Sequence, residues 1–211
     1  MNEQIAEFFG ALLGDGCLSS YYSVYDKRQR FEVSFTGSTN DLAYYQSKII
    51  PYFTANFGLS GSLRFRKDCN ALIYSIKSER VFEFFKILGF PVGEKGHGLK
   101  IPGCIFENRP FALACVRGVW DTDGSICRRY TKIYKGQEKF YGNYFVMELK
   151  MKPKGLLIQI KSLLEFVGIK TSEITVNQNY VLRINSHSAI DRFLLLIGFS
   201  NAHHLRRMAI F

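Results

Sequence analysis

The sequence has no apolar run long enough to cross a membrane, and it opens without the basic lead of a secretory signal; the expectation is an intracellular protein. Its five cysteines (17, 69, 104, 115 and 127) form no CxxC pair and leave an odd one, which argues against a zinc site or a disulfide frame. The glycine-rich GEKGHG at 93–98 lacks the GxxxxGKS/T order of a phosphate loop and follows no strand. No splicing-junction motif is present, so nothing supports an intein origin. Acidic residues are in deficit: 18 Asp and Glu face 28 Lys and Arg, a net charge of +10. That imbalance points to a polyanionic partner, nucleic acid first and an anionic membrane surface second. The membrane reading is the weaker, because the basic residues spread over hairpins and not along an amphipathic helix.

What is there is a core and a repeat. At 47% hydrophobic and 15% aromatic, 211 residues make one large domain or two small ones and exclude disorder. Residues 1–107 carry 12 basic and 11 acidic side chains, against 16 and 7 in residues 108–211, so phosphate attraction belongs mainly to the second half. The stretch FFGALLGDG at Phe8–Gly16 returns as VRGVWDTDG at Val116–Gly124. Ala6, Gly10 and Gly14 lie four apart, and Ala114, Gly118 and Thr122 repeat that spacing 108 positions on. Four-residue spacing puts them on one helix face. Glycine there costs helix propensity, which close approach of two helix backbones would offset. Packing the two stripes together brings Asp15 and Asp123 side by side at the helix ends. Helix C-termini disfavour carboxylates, and two of them repel unless a cation intervenes. Paired oxygens suit a hard divalent ion such as Mg²⁺.

These residues resemble the LAGLIDADG motif of homing endonucleases, present twice as in the single-chain members of that family. Gly10, Asp15 and Gly16 match in the first copy, and Gly118, Asp121, Asp123 and Gly124 in the second; Leu13 stands where the first copy's earlier Asp would lie. The resemblance implies an α+β protein of two halves, each presenting a curved antiparallel sheet to double-stranded DNA. It implies divalent metal on Asp15 and Asp123, with the helix-end carbonyls of Gly14 and Thr122. It also implies a basic residue beside the scissile phosphate. Lys95 is the first choice, His203 or His204 takes the corresponding place in the second half, and Lys152 is a further candidate.

Read in order, each half is helix, hairpin, helix, hairpin, helix (αββαββα). The expected helices cover 2–14, 41–57 and 78–88, then 108–123, 153–167 and 186–197, with hairpins at 19–36, 63–76, 125–151 and 174–184. Ile76-Lys77-Ser78 and Leu88-Gly89-Phe90 are echoed by Ile184-Asn185-Ser186 and Ile197-Gly198-Phe199, marking a pseudo-twofold fusion. The glycine-rich segment 93–103 is the linker, dividing the chain into 1–104 and 105–211. The hairpins offer Arg28, Arg30, Arg64, Arg66, Arg128, Lys132, Gln178, Asn179 and Arg183 for DNA contact. Arg suits guanine, and Asn or Gln suits adenine. The long hairpin adds Arg129, Lys135 and Lys139 among Tyr130, Tyr134, Tyr141 and Tyr144. Two halves of about one helical turn each would read roughly 20 base pairs. The expectation is a monomeric double-strand endonuclease serving an intron or similar element and leaving short 3′ overhangs. The alternatives are an RNA maturase that assists intron splicing and a catalytically silent DNA-binding protein.

Overall fold

The computed structural model describes residues 1–129, 132–139 and 144–209. Tyr130 and Tyr141 lie outside the described residues, as do the side chains of Lys132, Tyr134 and Lys139. Helix α1 (Glu3–Asp15) starts where Asn2 Oδ1 accepts the Ile5 amide at 2.8 Å, which satisfies one free N–H of the first turn. It runs straight into β1 (Gly16–Ser23), which forms a hairpin with β2 (Arg28–Ser38). The next helix is α2 (Leu42–Tyr44), a π-helical segment Tyr45–Ile49, and α3 (Ile50–Phe57). Pro51 explains the π segment. Its ring has no N–H to give and crowds the preceding turn, which opens to make room. β3 (Ser62–Phe65) and β4 (Ala71–Lys77) complete a sheet of order β1-β2-β4-β3, and α4 (Glu79–Ile87) follows.

A short α5 (Gly103–Phe106) spans the expected junction between the halves. Then α6 (Arg109–Asp123) leads into β5 (Gly124–Arg129), and the long hairpin returns as β8 (Tyr144–Met151). Between them β6 (Lys132–Tyr134) and β7 (Gln137–Lys139) pair around Lys135 and Gly136, both at positive φ, the conformation of a tight hairpin turn. α7 (Lys154–Phe166), β9 (Thr175–Asn177), β10 (Asn179–Ile184) and α8 (His187–Leu196) repeat the first half. The second sheet has the order β5-β8-β10-β9. One element was not expected, the terminal α9 (Ala202–Ala209). No helix among the described residues is long and apolar enough to cross a membrane.

The halves meet where the small-residue stripes predicted. A Cβ on Gly10 would collide with the Cys115 carbonyl, and one on Gly118 with the Glu7 carbonyl, so α1 and α6 touch backbone to backbone. The first half fills its core with aromatics: Phe8 stacks on Tyr52 with ring centroids 3.8 Å apart and meets Phe35 and Phe53 edge-on. The second buries aliphatic side chains, among them Leu149, Leu156, Ile160 and Leu182, and sets Trp120 against Phe193 with ring centroids 5.1 Å apart. The linker is not a free tether. Gly93 N–H donates to Leu18 O at 2.7 Å, Gln159 clamps the Ile101 backbone at 2.8 and 3.1 Å, and Leu99 and Ile101 are buried.

Candidate metal and nucleic-acid site

The site is built by two helices that stop at the same place. Gly16 and Gly124 follow the two aspartates in extended conformation, and their N–H groups bond back to Leu12 and Trp120 carbonyls. Neither glycine is needed for its φ. A side chain on either would strike the Leu12 or Trp120 side chain it lies against. A Cβ on Gly14 would fall 2.8 Å from Thr122 Cβ and 3.5 Å from the Asp123 carboxyl carbon, so the two helix ends sit against each other.

Burial, then the neighbouring Asp123 charge, pushes the Asp15 carboxyl up to about 8, against the pull of the Tyr45 hydroxyl and Lys95. Burial raises Asp123 as well, with Lys95 opposing. Lys95 donates to the Leu13 carbonyl at 2.9 Å and to the Gly14 carbonyl. Burial draws its pKa down, while Asp123 and Asp15 hold it up. The linker lysine expected near the scissile phosphate is thus placed among both carboxylates, on a helix-end carbonyl. Thr122 turns its hydroxyl back onto the Gly118 and Val119 carbonyls at 3.0 and 3.1 Å, leaving only its own carbonyl as a donor to a metal.

These donors are all hard oxygen, which fits an alkaline-earth or manganese ion and not a thiophilic one. No group of three or more His, Cys, Asp or Glu side chains suited to a metal occurs among the described residues. A bound ion would therefore complete its shell with carbonyls, water and phosphate, as Mg²⁺ commonly does.

Lys95 and Lys152 line one cleft of about 400 Å³ with Gly14, Glu94, Asp123, Lys150 and Asn179. The opposite side is furnished differently. Tyr45, aimed from the π segment, donates its hydroxyl to Asp15 Oδ2 at 3.0 Å. Asp121 is buried and caps the chain before α9, accepting Ser200 N–H at 3.1 and 3.0 Å and Asn201 N–H at 2.9 Å. Burial lifts its carboxyl to about 7, with those two amides opposing. Asn201 Nδ2 joins the Asp121 carbonyl (2.9 Å) to Asp41 Oδ1 (2.8 Å) in the other half. His204 Nε2 lies 3.3 Å from the Asp121 carbonyl. Asp121 is the position equivalent to Leu13, 108 residues on, so His204 meets the carbonyl that corresponds to the one Lys95 meets.

Strand register sorts the basic candidates. Arg28 and Arg30 on β2 alternate with the core residues Val33 and Phe35, and Arg64 opposes Ile73 on that same open face. Arg66 follows β3 directly. On the second sheet Asn179 and Arg183 share the open face of β10, and Gln178 sits at the turn with φ 60°. Several of these are already engaged: Arg30 with Asp26 at 2.5 Å, Arg66 with Asp68 at 2.5 Å, Arg183 with Glu148 at 2.7 Å. Arg128 departs from the expectation. It opposes Phe145 and shares the inward face of Ile126, with its guanidinium carbon 5.9 Å from the Phe145 ring centroid. The open face of β5 carries Arg129 instead. Strand alternation around Ile126 is the signal that would have separated them.

Sequence reasoning missed Tyr45, Lys150 and Asn201. Tyr45 lies on an apolar helix face and reads as core, and Lys150 reads as an ordinary strand polar residue. Asn201 has no local pattern at all.

A family model described as LAGLIDADG-like domain matches residues 110–198, which run from the start of α6 to the end of α8. No curated protein sequence matches the chain. Among solved structures, the homing endonuclease I-DmoI in complex with DNA and Mn superposes with TM-score 0.64 at 18% identity, over 94% of this chain and 97% of that one. Mesophilic variants of I-DmoI give 0.64 at 17%, over 93% and 95%. The LAGLIDADG meganuclease I-AabMI, bound to uncleaved DNA, gives 0.63 at 12%, over 99% and 88%. Residues 110–198 are therefore similar to a LAGLIDADG-like domain, and the chain as a whole shares the two-sheet fold of these solved structures.

Proposed function

We propose that this chain is a site-specific, divalent-metal-dependent endonuclease that hydrolyses both strands of a long DNA site. The observation that carries the reading is the pairing of Asp15 and Asp123 at the α1–α6 seam with Lys95 between them. Asp15, Asp123 and the carbonyls of Gly14 and Thr122 would hold Mg²⁺. When bound, the metal supplies activation of water and neutralisation of charge developing on phosphate oxygens. Lys95 brings a positive charge to the same point, one that burial keeps from being spent on bulk water. The open faces of the two sheets, with Arg28, Arg30, Arg64 and Arg66 on one and Arg129, Asn179 and Arg183 on the other, would enter successive major grooves. Lys132 belongs to this set by its place in the long hairpin. One chain supplies both halves, so a monomer suffices and the site is at most imperfectly palindromic. Short 3′ overhangs and service to a mobile intron follow from the family resemblance.

Incubation of a randomised duplex library with Mg²⁺, with Ca²⁺ and with EDTA tests this. Enrichment of one long site, cut only with Mg²⁺, is the expected result. Binding without scission in every condition would instead mean a silent DNA-binding protein, and selectivity for structured RNA over duplex a maturase.

A further inference from the structure

The Asp15 carboxylate is held in place by one hydrogen bond. Its Oδ2 accepts the Tyr45 hydroxyl at 3.0 Å, and no other hydrogen bond among the described residues reaches either oxygen. Tyr45 opens the π-helical segment and is only 1% exposed, so packing fixes its ring. Burial and the Asp15 charge push its hydroxyl well above the ordinary tyrosine range, which keeps it a donor. Tyr52 on α3 is buried too, but its hydroxyl meets no partner among the described residues. A tyrosine can therefore serve this core by its ring alone, and the hydroxyl of Tyr45 has a separate use.

A third residue completes the cradle. Gly37 lies on the face of β2 that carries Val33 and Phe35 into the core. A Cβ there would fall 2.7 Å from the Tyr45 hydroxyl oxygen and 2.8 Å from Asp15 Oδ2, so any side chain would push the two apart. Gly37 pairs with Leu72 in ordinary antiparallel register and has no positive φ. The strand itself makes no demand for glycine; the hydrogen bond beside it does.

We infer that Tyr45 and Gly37 are positioning residues that leave Asp15 a single available oxygen, Oδ1, and thereby make the site prefer Mg²⁺ to Ca²⁺. This rests on the reading of Asp15 as a metal ligand and deepens it. The physical reason lies in how the two ions use carboxylates. Mg²⁺ demands a tight octahedral shell and keeps several waters, whereas Ca²⁺ accepts a carboxylate through one oxygen or both in a looser, larger shell. Ligand number and rigidity therefore decide between them. A carboxylate whose second oxygen is bound to a fixed phenol offers few ligands and little freedom. Released from that phenol, it could turn and present both oxygens, which favours the larger ion. Hydrogen bonds to a ligating carboxylate commonly carry an effect of this kind.

Mn²⁺ bound to the full chain, followed by electron paramagnetic resonance, tests this without any turnover. Displacement of Mn²⁺ by Mg²⁺ and by Ca²⁺ gives the affinity of each ion, and their ratio is the quantity to follow. Tyr45→Phe should lower the Mg²⁺/Ca²⁺ affinity ratio by about 10-fold. A merely structural role for the hydroxyl would weaken both ions alike and leave the ratio where it was. Gly37→Ala should move the ratio in the same direction, and in the Tyr45→Phe background it should add less than about twofold, because both act through one contact. Tyr52→Phe, which removes a buried hydroxyl with no such contact, should leave the ratio within about twofold of the parent. An unchanged ratio in Tyr45→Phe, or an equal shift in Tyr52→Phe, would overturn the inference and leave the metal reading standing. Mn²⁺ binding indifferent to Asp15→Asn would overturn both.

Discussion

The two motif helices differ most where they end. α1 finishes Leu12-Leu13-Gly14-Asp15, and Leu13 is buried among apolar side chains. α6 finishes Trp120-Asp121-Thr122-Asp123, and Asp121 binds the amides of Ser200 and Asn201. The outward consequence is large. On the second half's side, a polar cap docks an extra helix; on the first half's side, the chain passes as a loop that delivers Lys95. Gly10 and Gly118 are alike because facing backbone leaves no room for a side chain, and Gly16 and Gly124 because each lies against a residue of its own helix; Gly14, which meets only side chains, is matched by Thr122. The residues one shell out have no such constraint and have diverged.

The largest test removes what the halves share. Asp15→Asn and Asp123→Asn should each lower cleavage by about 10³-fold, roughly 4 kcal/mol of barrier, measured on the selected site at fixed metal. The same substitutions should help the metal-free fold. The Asp15 carboxyl is raised from 3.8 to about 8, so the folded state holds a proton that the unfolded state releases across that window. Metal-free stability therefore falls as pH rises from about 4 to 8. Melts in EDTA between pH 5 and 8.5 should show that decline, flattened in Asp15→Asn. A melting temperature independent of pH in the parent would remove the case for a strained carboxylate pair.

Next comes the seam. Gly10→Ala and Gly118→Ala each drive a methyl into a facing backbone carbonyl, in opposite directions across one interface. Each should cost about 3 kcal/mol or more, because backbone cannot step aside as a side chain can. Denaturant unfolding measures it. Similar losses from both substitutions would support the pseudo-twofold, and tolerance of one would show where it fails.

A smaller effect belongs to the asymmetric cap. Asn201→Ala removes donations to Asp41 and to the Asp121 carbonyl, together with the acceptor for His203 N–H. The expected loss is about 2 kcal/mol, again by denaturant unfolding. Arg117, which links Glu7 on α1 to the Ile197 carbonyl, guards the same junction and should keep the halves together.

Much of this was legible in the residues. The stripes at Gly10 and Gly118 announce the seam because nothing else accounts for glycine at helical spacing inside apolar helices. The Asp-Gly ends and the doubled hairpins followed from the same repeat, and the lysine at 95 from the family resemblance. What stayed hidden depends on contacts between distant segments. Tyr45 reaches the Asp15 carboxyl from the start of a π segment that the sequence pattern does not announce, and Asn201 meets Asp41 across 160 positions. His204 acquires its place from Asp121, whose capping role a motif match does not disclose. Lys150 emerges only once β8 is registered against β5.

The finest comparison is between neighbours on β5. Arg128 and Arg129 read alike in sequence, but strand alternation puts Arg128 with Ile126 and over Phe145, and Arg129 on the face shared with Arg183. Arg128→Ala should cost about 0.5–1 kcal/mol of stability from its contact with the ring and change DNA affinity little. Arg129→Ala should leave stability within about 0.5 kcal/mol, weaken binding, and reduce the slope of log K against log salt by about 1 if it meets a phosphate. If it reads a base instead, preference at one position should relax while the salt slope holds. Both variants can be measured on the same duplex in Ca²⁺, where binding is read apart from scission. An affinity loss in Arg128→Ala with Arg129→Ala unaffected would reverse the faces assigned to this strand, and with them the orientation of the long hairpin on DNA.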